Sequence, residues 1–217
     1  MKTTSTCFST PCKNAWPELA QKFTMTQRRT FLAAGTTGVL AGVLAGALSQ
    51  AALAQTLVPA LPAEVASELP GAQWTGSARL RFFGFDVYES SLWVAPGFQA
   101  DNFAQHSLAL GLSYLRALSG QAIAERSLKE MQRAGDVSPT QAQRWLSALL
   151  EALPDVKAGD RITGLHSPGV GARFWHNGQP RPAVRDPEFS RLFFGIWLSE
   201  GTSEPALRSA LLSRLAP

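Results

Sequence analysis

The sequence predicts an α+β domain in which an antiparallel sheet carries helices on one face. Stretches with a period of two stand on both sides of a helical middle, no strand–helix–strand alternation is present, and the chain ends in helix. No period of 20–50 residues repeats, which excludes a solenoid.

Taken in order, Gln73–Phe83 alternates, with Ala78, Leu80 and Phe82 on one side and Ser77, Arg79 and Arg81 on the other. Gly84-Phe85-Asp86 is read as a turn, and Val87–Val94 as the second strand of a hairpin. Tyr88, Ser90, Leu92 and Val94 share a face opposite Glu89 and Trp93. Leu108, Leu110, Leu112 and Tyr114 suggest a third strand. Gln121–Ala134 has helical spacing in Ile123, Ser127, Leu128 and Met131. Ser138-Pro139-Thr140-Gln141 then gives an N-cap, a Pro at the first helical position and a capping-box Gln, ahead of an apolar stripe of Trp145, Leu146, Leu149 and Leu150. Two further strands follow, Asp160–His166 and Val170–His176, and Asn177-Gly178 is a turn signal. Asp186-Pro187 opens a helix with Phe189, Leu192, Phe193, Ile196 and Trp197, and Ser203 is expected to cap another carrying Leu207, Leu211 and Leu215.

Residues 1–54 read as an address. The 217-residue chain has a net charge of +4, and Lys2, Lys13, Lys22, Arg28 and Arg29 against Glu18 alone account for all of it. Residues 55–217 are therefore neutral overall, so the basic balance does not argue for nucleic acid or an anionic membrane surface. Arg28-Arg29 precedes an apolar stretch, Phe31–Leu48, interrupted by four glycines, and Ala52-Leu53-Ala54 supplies a small-x-small exit before Gln55. That pattern predicts export with cleavage after Ala54, leaving no stable membrane anchor. Arg28-Arg29 with Phe31-Leu32 resembles a twin-arginine signal. Gln27 and Ala33 depart from its usual Ser/Thr and Lys, so the general secretory route stays open. Residues 1–24 fit no part of a signal, and Met25 is read as the start codon. Both cysteines, Cys7 and Cys12, lie in that prefix. Residues 55–72, with Pro59, Pro62, Pro70 and Gly71, are expected to be a flexible lead-in, and residues 73–217 the domain.

Few residues suggest chemistry. His106, His166 and His176 lack metal-ligand spacing and are expected at the surface or in loops; no metal or cofactor is predicted. Gly164–Gly171 lacks the Lys-Ser/Thr of a phosphate cradle and is read as a turn between strands. No Gly-x-Ser-x-Gly elbow occurs. Asp155 and Asp160 are read as turn residues. Phe193-Phe194-Gly195-Ile196-Trp197 is read as buried core, with a wall of an apolar pocket as the rival. Arg126, Lys129 and Arg133, interleaved with Glu125 and Glu130, suggest a solvated, salt-bridged helix face. Arg79 and Arg81 are idle if their face meets water; beneath helices they would need Glu89, Glu125, Glu130 or a ligand carboxylate.

Several stretches together resemble the bacterial, exported branch of the chalcone isomerase-like family, over about residues 73–216. They are Gly84–Val94 (GFDVYESSLWV), Ser107–Leu110 leading to Tyr114-Leu115-Arg116, Pro154–Arg161 (PDVKAGDR), Phe174–Gly178, Asp186–Phe189 and Phe194–Ser199. The resemblance implies an open-faced β-sandwich: a large antiparallel sheet, a helical layer, and an apolar cleft between them. For the plant enzymes it implies a strand Arg that holds the substrate phenolate, for which Arg79 is the best match and Arg81 the other. Their Tyr-x-x-Lys pair falls on Arg126 and Lys129, and their Asn on Arg133. Lys129 matches, but with Arg126 in place of the phenol the enone carbonyl has no evident donor. Other branches bind fatty acids without catalysis, with an Arg and a Tyr meeting the carboxylate. Arg79, Tyr88 and Lys129 are the corresponding ligand-binding candidates here.

The expectation is thus an exported protein that binds a small apolar or fatty-acid-like anion in its cleft, with no nucleic-acid partner. An intramolecular lyase acting on a chalcone-like enone and an interaction module with no ligand are the alternatives.

Overall fold

In the computed structural model, residues 58–215 are described. The expected extension, signal, cleavage site and both cysteines lie outside them. Six strands form one antiparallel sheet in chain order: β1 (Gln73–Phe82), β2 (Phe85–Val94), β3 (Leu108–Tyr114), β4 (Arg161–Ser167), β5 (Gly171–His176) and β6 (Gln179–Val184). Helices α2 (Gly120–Ala134) and α3 (Pro139–Ala152) fill the β3–β4 connection. Helices α4 (Pro187–Leu198) and α5 (Pro205–Leu211) follow β6, and a short 3-10 helix, Ala100–Gln105, precedes β3.

The caps expected at Ser138 and Asp186 form, the one expected at Ser203 does not, and α2 has an N-cap, Ser119, that was not among those expected. Ser119 and Ser138 accept from the backbone of Ala122 and Gln141, and Ser138 with Gln141 closes a full capping box. Asp186 accepts from Glu188 and Phe189 at the start of α4. Ser203 does not cap α5: Glu204 occupies that position without a side-chain bond, and its own N–H donates to Thr202.

Strand parity sorts the two faces. Leu80 opposes Tyr88, which opposes Tyr114; Leu92, Leu110 and Gly164 form a parallel row. This face packs on the helices, with Phe174 against Phe193 and Phe194 seated on Gly164. A Cβ on Gly164 would stand 3.2 Å from the Phe194 ring, so the missing side chain is what lets α4 lie this close.

Two expectations are corrected. The lead-in is not loose: within it α1 (Ala63–Glu68) docks on the opposite face of the sheet, where Val65 and Leu69 join Trp93, Ala109, Leu165 and Trp175 in a second apolar cluster. Beside them Glu64 accepts from Thr163 Oγ1 at 2.7 Å and Arg161 at 3.0 Å, and Glu68 pairs with Arg173 at 2.7 Å. Burial works to raise the Glu64 pKa, but these donors outweigh it and hold the carboxyl below its ordinary value. The sheet also gains β6, which lies at an edge, where Pro180 and Pro182 do not interrupt an interior ladder.

Candidate functional site

The site grows from the contact between β2 and α4. Phe189, Phe193 and Trp197 recur every fourth residue on α4 and so share one face. Their rings run on from Trp145, with successive centroids 5.8, 5.6 and 5.5 Å apart. The stripe ends in a polar contact, where Trp197 Nε1 donates to Tyr88 Oη at 3.0 Å. Tyr88 in turn meets the Tyr114 ring edge-on at 6.0 Å. Burial pushes both phenol pKa values up, so both hydroxyls stay protonated at any physiological pH.

Helix α2 brings charge to this end of the stripe. Glu130 is buried between two guanidiniums, Arg126 at 2.6 Å and Arg133 at 2.8 Å, and Arg133 also donates to the carbonyl of Gly201 at 2.8 Å. Glu204 completes the group. Burial raises its pKa, with Arg126 opposing and Glu130 reinforcing the shift. Glu204, Arg126 and Glu130 all act electrostatically on the Tyr88 hydroxyl. Thr202 pins the loop that carries Glu204 by donating to the Ile196 carbonyl at 2.6 Å. A phenol, an indole N–H and a guanidinium therefore converge where the sheet meets the helices.

The expected site residues separate in space. Tyr88 lies in this cluster. Arg79 does not: it opposes Glu89 on the other face of the sheet and donates to Asp86 at 3.0 Å, with Glu89 at 3.6 Å and nearly half its side chain in solvent. Arg81 is more exposed still and also pairs with Asp86. An anion held jointly by Arg79 and Tyr88 is thus ruled out, because adjacent strand parities point them to opposite sides. Lys129 is exposed on α2. Arg126, expected on a solvated face, instead reaches the cluster, and the carboxylate it pairs with is buried. Trp197 was legible as an apolar wall but not as a donor. Glu130 was legible as a partner for the strand arginines or as part of a salt-bridged face of α2, and it does pair with Arg126 and Arg133, but its burial was not expected. Glu204 carried no signal, since a loop rather than a helix period brings it in.

Other polar groups are structural. His166 is buried rather than superficial: Nε2 donates to the Ala104 carbonyl at 3.0 Å, which leaves Nδ1 to accept from Ser190 Oγ at 2.6 Å. Burial lowers its pKa. Ser190 is fully buried, so this pair cannot meet a substrate. Asp160 accepts from Lys157 N–H and Asn177, the turn role expected of it, whereas Asp155 accepts from the N–H of Gly120, 35 positions away at the start of α2. Among the described residues no group of three or more His, Cys, Asp or Glu could hold a metal ion, and no helix is long and apolar enough to cross a membrane.

Comparison with curated proteins finds no match. Among solved structures the fold is similar to that of an Arabidopsis thaliana fatty-acid binding protein. The TM-score is 0.52 at 13% sequence identity, over 66% of this chain and 87% of that one. The family model described as chalcone isomerase-like matches residues 73–213. On that match, with the six-stranded sheet and its helical layer, the chain belongs to the chalcone isomerase-like family.

Proposed function

We propose that the protein is exported and binds a small apolar or fatty-acid-like anion, without catalysis, between the sheet and α4. The observation that carries this reading is the Trp197–Tyr88 hydrogen bond at the layer boundary, within the field of Arg126. A protonated phenol and a guanidinium are hydrogen-bond donors suited to a carboxylate. The aromatic stripe of α4 offers an apolar lining for a chain. The Arabidopsis protein of similar fold, described as fatty-acid binding, supports the same reading.

Native mass spectrometry of protein isolated from its source tests it. A lipid-mass adduct, diminished in Tyr88→Phe and lost in Arg126→Ala, is expected. Absence of any adduct, with no uptake of added fatty acid, would refute it. Export is tested by the same preparation, whose N-terminus is expected at Gln55.

A second reading rests on one specific observation. Phe193 and Trp197 are only 4% and 6% exposed, within a continuous series of ring contacts. If they occupy the space between the layers, the chain is an interaction module filled by its own side chains. Wild-type protein would then take up no fatty acid, while Trp197→Ala would. The lyase alternative requires loss of chalcone absorbance on incubation. With Arg126 bound to Glu130 where a phenol is needed, no such loss is expected.

A further inference from the structure

The β1–β2 hairpin ends in a cluster that the binding site does not use. Phe82 opposes Phe85 across a two-residue turn, Phe83-Gly84, in which φ is +48° at Phe83 and +79° at Gly84. Two successive positive φ values are the signature of a type I′ hairpin turn, whose first position favours Asn, Asp or Gly. A bulky aromatic there is a genuine conformational outlier, and folding alone would be better served by Asn. Nor does packing account for it: Phe83 is 70% exposed and Phe85 57%. A Cβ on Gly84 would meet nothing within 4 Å, so this corner of the turn faces open space.

The surroundings indicate what the cluster meets. The Phe82 and Phe83 rings lie 4.4 Å apart, the Arg116 guanidinium covers the Phe85 ring at 5.0 Å, and the neighbouring Leu115 is exposed. Arg79, Arg81 and Arg116 set three positive charges at or just behind the tip, against Asp86 and Glu89. An exposed aromatic end flanked by guanidiniums is the composition that enters the headgroup region of an anionic bilayer, with rings at the acyl boundary and guanidiniums on phosphates. A narrow hairpin end also suits insertion into a soft surface better than docking against a flat protein face.

We propose that this hairpin tip docks the protein on the surface of an anionic phospholipid bilayer, with Phe83 and Phe85 inserted and Arg81 and Arg116 on the headgroups. The proposal stands on the tip alone and holds whether or not the interior retains a ligand.

Co-sedimentation with vesicles tests it, using the protein as isolated from cells with the N-terminus they leave. The vesicles are phosphatidylcholine, with or without about one-third phosphatidylglycerol. Wild type is expected to sediment with the anionic vesicles and much less with the neutral ones. The double variant Phe83→Asn/Phe85→Ser is expected to lose partitioning by about ten-fold or more. Phe83→Asn alone should raise the thermal midpoint by a few degrees while weakening vesicle binding, a combination that a purely structural role would not produce. Equal sedimentation of wild type and double variant would overturn the proposal, as would failure of wild type to bind anionic vesicles. A vesicle-free dimer that the double variant abolishes would overturn it too.

Discussion

Trp197 Nε1 on α4 donates to Tyr88 Oη on β2 at 3.0 Å, tying the helical layer to the sheet at the point where the charged end of α2 arrives. The bond joins residues 109 positions apart. It therefore fixes where α4 ends relative to the sheet, which local propensity cannot do.

Tyr88→Phe leaves the indole N–H without its acceptor and is expected to cost about 1–2 kcal/mol. A double-mutant cycle with Trp197→Phe, read by urea denaturation, should return a coupling of about 1 kcal/mol. A coupling near zero would mean that water replaces the phenol at no cost.

Glu130→Gln keeps the shape of the side chain but leaves Arg126 and Arg133 without their shared counter-charge. A wholly buried pair would lose more. Arg133 is well exposed and Arg126 partly so, and screening brings the expected loss to about 1–2 kcal/mol. If the pairing matters beyond stability, the variant should also weaken retention of any co-purified lipid in the mass spectrum.

Much of this was legible beforehand, and the misplacement of Arg79 shows where reading stopped. The alternation Ala78-Arg79-Leu80 already separates the apolar side from the charged one. Once the hairpin sets Leu80 opposite Tyr88, Arg79 and Tyr88 must point to opposite faces. Family likeness drew the arginine inward; strand parity puts it outside. Strand β6 was hidden because Pro180 and Pro182 contradict an interior strand, and nothing local distinguishes an interior strand from an edge. Helix α1 was hidden because six residues flanked by Pro62 and Pro70 show too short a period, and only the sheet face beneath makes its apolar side meaningful. The cap at Asp186, the capping box at Ser138 and the Asn177-Gly178 turn were readable because each is decided within four residues.

His166 predicts a pH dependence with a definite sign. Burial depresses its folded pKa below the ordinary 6.5, so between the two values the unfolded chain binds the extra proton. Stability is full above about pH 6.5 and declines as pH falls toward and through the folded value. Glu204 acts the other way: burial raises its folded pKa above the ordinary 4.5, so its contribution to stability is fullest below that value and is lost as pH rises through the folded one. Urea midpoints at pH 7.5 and 5.5 for wild type and His166→Gln isolate the first effect. The wild type is expected to lose more over that interval than the variant, and equal losses would count against the assignment.

Val65→Ala tests whether the lead-in belongs to the fold. With Val65 only 1% exposed, the lost packing is expected to cost about 1–2.5 kcal/mol in denaturation. A flexible segment would give no change.

The docked position of α1 also sets a timetable for folding. On the ribosome this helix emerges before any of the six strands, yet Glu64 finds its donors 97 and 99 positions later, at Arg161 and Thr163, and Trp175 comes later still. Contacts so distant along the chain close slowly. The first of the described helices to be synthesised therefore waits for strands made much later, and until β4 and β5 exist its apolar side is an exposed handle for whatever escorts the nascent polypeptide.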